Sequence, residues 1–145
     1  MVIGGGGGDN MFIYTSPSIM GVTVTAAYQN DGGAATVSDS YTDFAIKYSP
    51  EMIEGLTLGY ANVDQETGIN TSTNKSTGYV KYAVGGFTIG YQVSEEDHDT
   101  MSSSKDSSAY GITYAVNDDF SVGYSSHTLE PDSGSGATSL SLIHI

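Results

Sequence analysis

The sequence predicts an all-β protein of antiparallel, up-and-down strands, and three observations support this prediction. Apolar and polar residues alternate with a period of two, and no stretch keeps the 3.6-residue period of a helix. A hairpin pattern recurs every 31 to 34 residues. Turn residues separate the alternating stretches. The clearest hairpin covers residues 78–93, where two alternating halves flank Gly85 and Gly86.

The repeat predicts about eight strands in four hairpins, each ending its first strand at an equivalent position. Tyr48, Tyr82 and Tyr114 mark that position and lie 34 and 32 residues apart. Short turns are predicted at 16–20, 49–54, 84–86 and 116–119, and long polar loops at 30–40, 64–76, 94–108 and from 128 onward. Short and long connections that alternate are typical of a β-barrel in an outer membrane.

Composition limits the classes of function. The chain has 145 residues, which is one domain or a piece of a larger one. Seventeen acidic residues against four lysines give a net charge of −13, which disfavours binding to nucleic acid. Without cysteine, neither a disulfide framework nor a cysteine zinc cluster can form. No apolar run is long enough for a transmembrane helix.

The apolar face of the predicted strands is rich in tyrosine. In a soluble sandwich most of these hydroxyls would need buried partners, whereas at a membrane surface water and headgroups satisfy them. The alternation therefore favours a transmembrane barrel, with a soluble extracellular β-domain as the alternative. The residues predicted to form membrane-interface girdles are Tyr14, Tyr28, Tyr48, Tyr60, Tyr82, Phe87, Tyr91, Tyr114, Phe120 and Tyr124.

The opposite face carries mostly small residues, with a few larger polar ones. Such side chains are too small to fill a closed eight-stranded barrel, so we expect a segment of a larger barrel with an open lumen. A small eight-stranded anchoring or adhesive barrel stays an alternative. The overall acidity predicts a preference for cations. The predicted pore-lining residues are Asp43, Lys47, Thr57, Tyr79, Lys81, Thr88, Gln92 and Thr113.

Two segments resemble the general porins of Gram-negative bacteria. Residues 14–23, Tyr-Thr-Ser-Pro-Ser-Ile-Met-Gly-Val-Thr, are similar to a periplasmic turn of that family, and residues 48–60 look like the next hairpin. The resemblance covers residues 9 to about 128. It implies an outer-membrane barrel of about 16 strands, usually a homotrimer in contact with lipid and lipopolysaccharide, that passes small hydrophilic solutes passively.

The sequence departs from that family at several points. Ile13 stands where such porins often place a basic residue, and the chain contains no arginine. A terminal strand that ends in an aromatic residue is also missing. Residues 139–145 resemble translated adaptor sequence, so we expect a truncated piece with three parts: a flexible Gly-rich lead-in over 1–10, the barrel segment over 11–138 and a non-native tail over 139–145.

One acidic run is a candidate for binding a hard divalent cation, which could bridge to lipopolysaccharide phosphates. Its candidate ligands are Glu95, Glu96, Asp97 and Asp99. A solvated acidic loop is the preferred interpretation, and no metal site is predicted.

Nothing in the sequence points to catalysis or to a cofactor. His127 follows Ser125 and Ser126, but there is no nucleophile elbow and no carboxylate in the sequence pattern to orient the histidine. The glycines at 4–8 lack the strand, helix and Lys-Ser/Thr of a phosphate-binding loop. The chain is therefore predicted not to be an enzyme.

Overall fold

The computed structural model of the chain describes residues 11–29, 39–67, 72–98, 104–131 and 137–144. They form one sheet in which each strand pairs antiparallel with the next along the chain, so the predicted up-and-down all-β fold is confirmed. The Gly-rich lead-in lies outside the described residues. The strands are β1 Met11–Thr15, β2 Val22–Gln29, β3 Asp39–Tyr48, β4 Leu56–Thr67, β5 Ser72–Val84, β6 Phe87–His98, β7 Lys105–Asn117, β8 Phe120–Pro131 and β9 Ala137–His144.

The ninth strand lies where no strand was predicted. β9 pairs with β8 from Leu129 opposite Ala137 to Val122 opposite His144. Backbone hydrogen bonds can recruit any extended segment to a free sheet edge, whatever its side chains. The strand therefore says nothing about the origin of residues 139–145, whose non-native character stays a prediction.

The strands extend further toward the long loops than predicted, so two of the predicted loops are wrong in length. Only 68–71 separate β4 from β5, and 99–104 separate β6 from β7. The β4–β5 connection is shorter than the turn at 49–55, so short and long connections do not alternate strictly. The reason is physical: these strand ends carry polar residues on both faces, and without an apolar face no hydrophobic alternation marks them as strand.

The predicted repeat appears in the turns as a shared backbone device. Gly21, Gly55 and Gly86 all have positive φ and each begins the second half of a hairpin. The carbonyl of each accepts a hydrogen bond from the next hairpin: Ser49 N to Gly21 at 2.8 Å, Ala83 N to Gly55 at 3.0 Å and Ala115 N to Gly86 at 2.9 Å. These contacts connect successive hairpins at the short-turn end.

The fourth short turn is built differently. The register of β7 against β8 shifts between Ala115 and Asn117, and the side chain of Asn117 accepts a hydrogen bond from Asp119 N at 2.9 Å. No positive φ occurs at 118 or 119. An Asx-type turn here replaces the glycine of the other three hairpins.

Little of the described chain is buried, and what is buried lies on one face. Ala27, Tyr41 and Val63 pack together with Met11 against them, and Val63 is the largest fully buried side chain. All of these share a face by strand register. We call it the inner face; the opposite one is the outer face.

Candidate functional site

The outer face carries the large apolar side chains, and it is open to the surroundings. On β6, Ile89 is 52% and Tyr91 49% exposed. Nine of the ten aromatic residues predicted for the girdles are on this exposed surface, and Phe120 is partly exposed. The prediction missed Phe12, Phe44 and Tyr110, which are exposed in the same way and follow the same period-two pattern. Whether these rings form a membrane interface stays a prediction.

Aromatic side chains of neighbouring strands contact each other on the outer face. The rings of Phe87 and Tyr114 stack across β6 and β7 with centroids 4.3 Å apart. Those of Tyr110 and Tyr124 approach to 6.2 Å across β7 and β8. Cross-strand aromatic pairs of this kind stabilise antiparallel sheets.

The apolar part of the outer face forms a band that runs obliquely across the strands. Its long-loop boundary on each strand is the last large apolar outward residue, which is Tyr28 on β2 and Tyr124 on β8. Relative to the ladder row through Tyr48 and Leu58, Tyr28 lies six residues toward the long loops and Tyr124 two residues the other way. The strands between follow this trend to within two residues. With strand spacings of about 3.3 and 4.8 Å, the shift inclines the strands by about 40° to the band normal, a tilt typical of barrels.

The eight residues predicted to line a pore all lie on the inner face. Cross-strand pairing places Lys47, Gly59, Tyr79 and Gln92 in one ladder row, with Thr57 opposite Lys81 and Thr88 opposite Thr113 in neighbouring rows. Asp43 shares the face but is only 2% exposed and accepts a hydrogen bond from Tyr41 Oη at 3.1 Å. That these residues line a pore stays a prediction.

Tyr79 is the largest of these inner-face side chains, and a glycine makes room for it. The ring lies over Gly59 on the neighbouring strand, so closely that a Cβ there would overlap it. A bulky side chain is thus held flat against the sheet.

Charge is divided between the two faces. All four lysines of the chain lie on the inner face, where the only carboxylates among the described side chains are Asp43 and Glu96. Neither Lys47 nor Lys81 forms an ion pair within the part of the chain that the structure describes. The outer face holds only acidic charges beyond the apolar band: Asp64, Glu66, Glu95, Asp97, Asp106 and Glu130.

The acidic run at 95–99 does not form a loop site. Residues 95–98 belong to β6, so Glu95 and Asp97 point to the outer face and Glu96 to the inner face. Asp99 lies outside the described residues. Among the residues that are described, no group of three or more potential ligands could hold a metal ion. Strand alternation is the physical reason that the predicted cluster is split.

Glu96 is instead the centre of an inner-face cluster that the sequence did not reveal. Its carboxylate contacts Lys75 Nζ at 3.2 Å, Lys105 Nζ at 3.8 Å and His98 Nε2 at 2.7 Å. His98 Nε2 must donate to this carboxylate, so in the neutral ring Nδ1 accepts from Thr73 Oγ1 at 2.9 Å. Glu96 lies beyond Val93, the last apolar residue of the band on β6. Burial raises its pKa, but the hydrogen bonds and charges of Lys75, His98 and Lys105 outweigh burial and lower the pKa below its usual value.

Sequence residues considered for catalysis are separated by the same alternation. His127 and Ser125 face inward, while Ser126 faces outward. The structure therefore brings no nucleophile, base and orienting carboxylate together among the described residues around His127.

An open sheet with a lipid-like outer face and a polar inner face defines a class of protein, the membrane-embedded β-barrels. The described residues contain no helix long and apolar enough to span a membrane. The family model for Gram-negative porins matches residues 2–142, so the chain belongs to the Gram-negative porin family. No curated protein and no solved structure matches the chain.

Family membership fixes the coarse description of the protein. It is a porin-type channel of the outer membrane that transports small solutes, and the family is one of channels and not of enzymes. The predicted resemblance is thereby confirmed.

Proposed function

We propose that this chain forms part of the wall of a passive diffusion channel for small hydrophilic solutes and ions. The observation that carries the proposal is the contrast between the two faces of the same strands. Large apolar residues such as Ile89 and Tyr91 are exposed on the outer face, where lipid would cover them. Small and polar residues such as Thr88, Gly90 and Gln92 alternate with them on the inner face, where water would be in contact.

The proposal includes a barrel larger than the described sheet. β1 and β9 each pair with a single neighbour among the described strands, and an unpaired sheet edge is not tolerated in lipid. The small residues of the inner face would leave a narrow barrel unfilled, which also favours a wide lumen. As in the family that the sequence resembles, we expect a homotrimer of longer chains, with lipid and lipopolysaccharide against the outer face. The 145 residues would then be a truncated piece of such a chain.

The direction of ion selectivity is the open part of the proposal. A net charge of −13 predicts a preference for cations. However, selectivity depends on the charges that face the pore, and on the described inner face four lysines stand with two carboxylates. The cation preference stays a prediction, and the inner-face charges favour the opposite one.

Conductance in planar lipid bilayers tests the channel proposal. The full-length barrel that carries this segment should insert in discrete steps, each with a conductance that rises in proportion to salt concentration. Lys81→Met would change the single-channel conductance, while the outward neighbour Tyr82→Phe, as a matched control, would leave it unchanged. Folded, membrane-inserted protein without conductance would contradict the proposal and favour an anchoring or adhesive barrel.

The soluble alternative has a separate test. A barrel with a lipid-covered outer face should require detergent and should change its mobility on gels when heated. A monomer that stays in solution without detergent would favour a soluble extracellular β-domain instead.

A further inference from the structure

We propose that a recess on the inner face, formed by β5, β6 and β7 at their long-loop ends, binds small anions through Lys75, Lys105 and Gln92. The proposal deepens the proposed function, because it assigns a solute class to a particular place on the wall. The recess has a volume of about 260 Å³, which is room for a small oxyanion and some of its water.

The first argument is the charge of the recess. Lys75 and Lys105 approach different oxygens of a single carboxylate, that of Glu96. Two ammonium groups share one negative charge, so one positive charge is left over while His98 is neutral. Glu95 also borders the recess, but its register position directs its side chain to the outer face.

The second argument concerns which hydrogen-bond donors are available. Thr77 is buried, and its hydroxyl donates to the carbonyl of Val93 at 3.0 Å. Ser94 must therefore donate to Thr77 Oγ1 at 2.7 Å, and it accepts from Gln92 Nε2 at 3.2 Å. The two hydroxyl hydrogens are used within this chain of bonds.

The donors that remain suit an anion. Gln92 keeps its second amide hydrogen, and each lysine keeps ammonium hydrogens that Glu96 does not engage. Charge-assisted bonds from ammonium groups to an oxyanion are about twice as strong as neutral ones. Glu96 acts as an internal counterion that a bound anion would partly displace, since both compete for the same ammonium groups.

The third argument is the position of the recess along the wall. Lys75 and Lys105 lie beyond the apolar band, whereas Lys47 and Lys81 lie within it, nearer the short turns. An anion that enters from the long-loop end would meet the recess first and the other two lysines afterwards. All carboxylates of the neighbouring outer face are on the far side of the sheet from this path.

Binding of inorganic phosphate, followed by the broadening of its ³¹P NMR line, tests the proposal on the full-length barrel in detergent. We expect saturable binding that falls about tenfold in the variant Lys75→Gln/Lys105→Gln. The matched control Lys47→Gln/Lys81→Gln removes the same charge from the same face and should change the affinity by about twofold or less. Glu96→Gln should strengthen binding about threefold, because it removes the competing carboxylate.

Three results would overturn the proposal: no saturable binding, an equal loss in both lysine variants, or weaker binding in Glu96→Gln with an unchanged fold on heat-modified gels. Parallel conductance measurements separate this inference from the proposed function. Conductance without phosphate binding would refute the recess and leave the channel, whereas binding without conductance would support the recess and refute the channel.

Discussion

The outer and inner faces of this sheet are made by alternate residues of the same strands, yet they follow opposite rules of burial. On the outer face, residues as large as Tyr91 and Ile89 are about half exposed, while on the inner face Val63 and Asp43 are almost completely covered. In a protein surrounded by water the large apolar residues would be buried. The inversion teaches that the apolar core of this fold includes the lipid, and that packing within the chain supplies little of it.

The comparison also holds along the strands. Within the apolar band the two faces differ sharply, but beyond it both are polar, as at Asp64 opposite Asn74 on the outer face and Lys75 opposite Glu96 on the inner face. The strand continues because its backbone hydrogen bonds do not depend on side-chain polarity. The difference between the faces is therefore a property of the membrane-facing length only.

The largest way to break the difference between the faces is a charge on the outer one. Ile89→Arg puts a guanidinium in the apolar band and should destabilise the folded protein in lipid by about 2–4 kcal/mol. Thr88→Arg, one residue away on the inner face, should cost about 1 kcal/mol or less because water can solvate it. Urea titrations of both variants in vesicles measure this, and equal losses would mean that the two faces do not have different surroundings.

A backbone change at the short turns should have the next largest effect. Gly55 has a φ of 83°, and a Cβ there would collide with the carbonyl of Ala83, so Gly55→Ala should cost about 1–3 kcal/mol. Gly90 has no positive φ, and its nearest neighbour would be 3.7 Å from an added Cβ. Gly90→Ala should therefore be neutral or slightly stabilising. Denaturant midpoints compare the two, and similar midpoints would contradict the role of Gly55 in connecting hairpins.

The aromatic pair on the outer face should contribute less. A double-mutant cycle on Phe87→Leu and Tyr114→Leu should give a coupling free energy of about 0.5–1.5 kcal/mol, because the rings stack at 4.3 Å. Tyr60 and Tyr91 are on the same face but not adjacent in the ladder, and their cycle should give a coupling near zero. A coupling of the same size in both cycles would show that lipid, and not ring contact, is responsible.

The smallest effect is expected on the inner face at its polar end. The Lys75–Glu96 ion pair is partly exposed, so its coupling should be about 0.2–1 kcal/mol at neutral pH. Its ion pairs lower the pKa of Glu96 below the ordinary value of 4.5. A depressed carboxylate pKa stabilises the fold above the unfolded pKa, and this contribution is lost as the pH falls through the folded value. Unfolding at pH 7 and pH 3 measures it, and a coupling that stays the same at both pH values would exclude the ion pair as its source.

Much of the fold could be predicted from the sequence because the relevant signals are local. Period-two alternation within the band identified the outer tyrosines and placed Lys47, Tyr79 and Gln92 together on the inner face, as the register shows. The polar strand ends were missed because no alternation marks them. The Glu96 cluster was missed because it joins Lys75, Glu96 and Lys105 from three strands, and only their register brings them together.

By itself the sequence determined the strand class, the hairpin repeat and the two faces, because these depend on the order of apolar, polar and turn residues along one strand at a time. Only the tertiary structure decided where the charges stand. A composition with 17 acidic and 4 basic residues reads as uniformly acidic. The register instead directs every lysine to one face and most of the strand carboxylates to the other, because a shift of one residue between strands would exchange the faces.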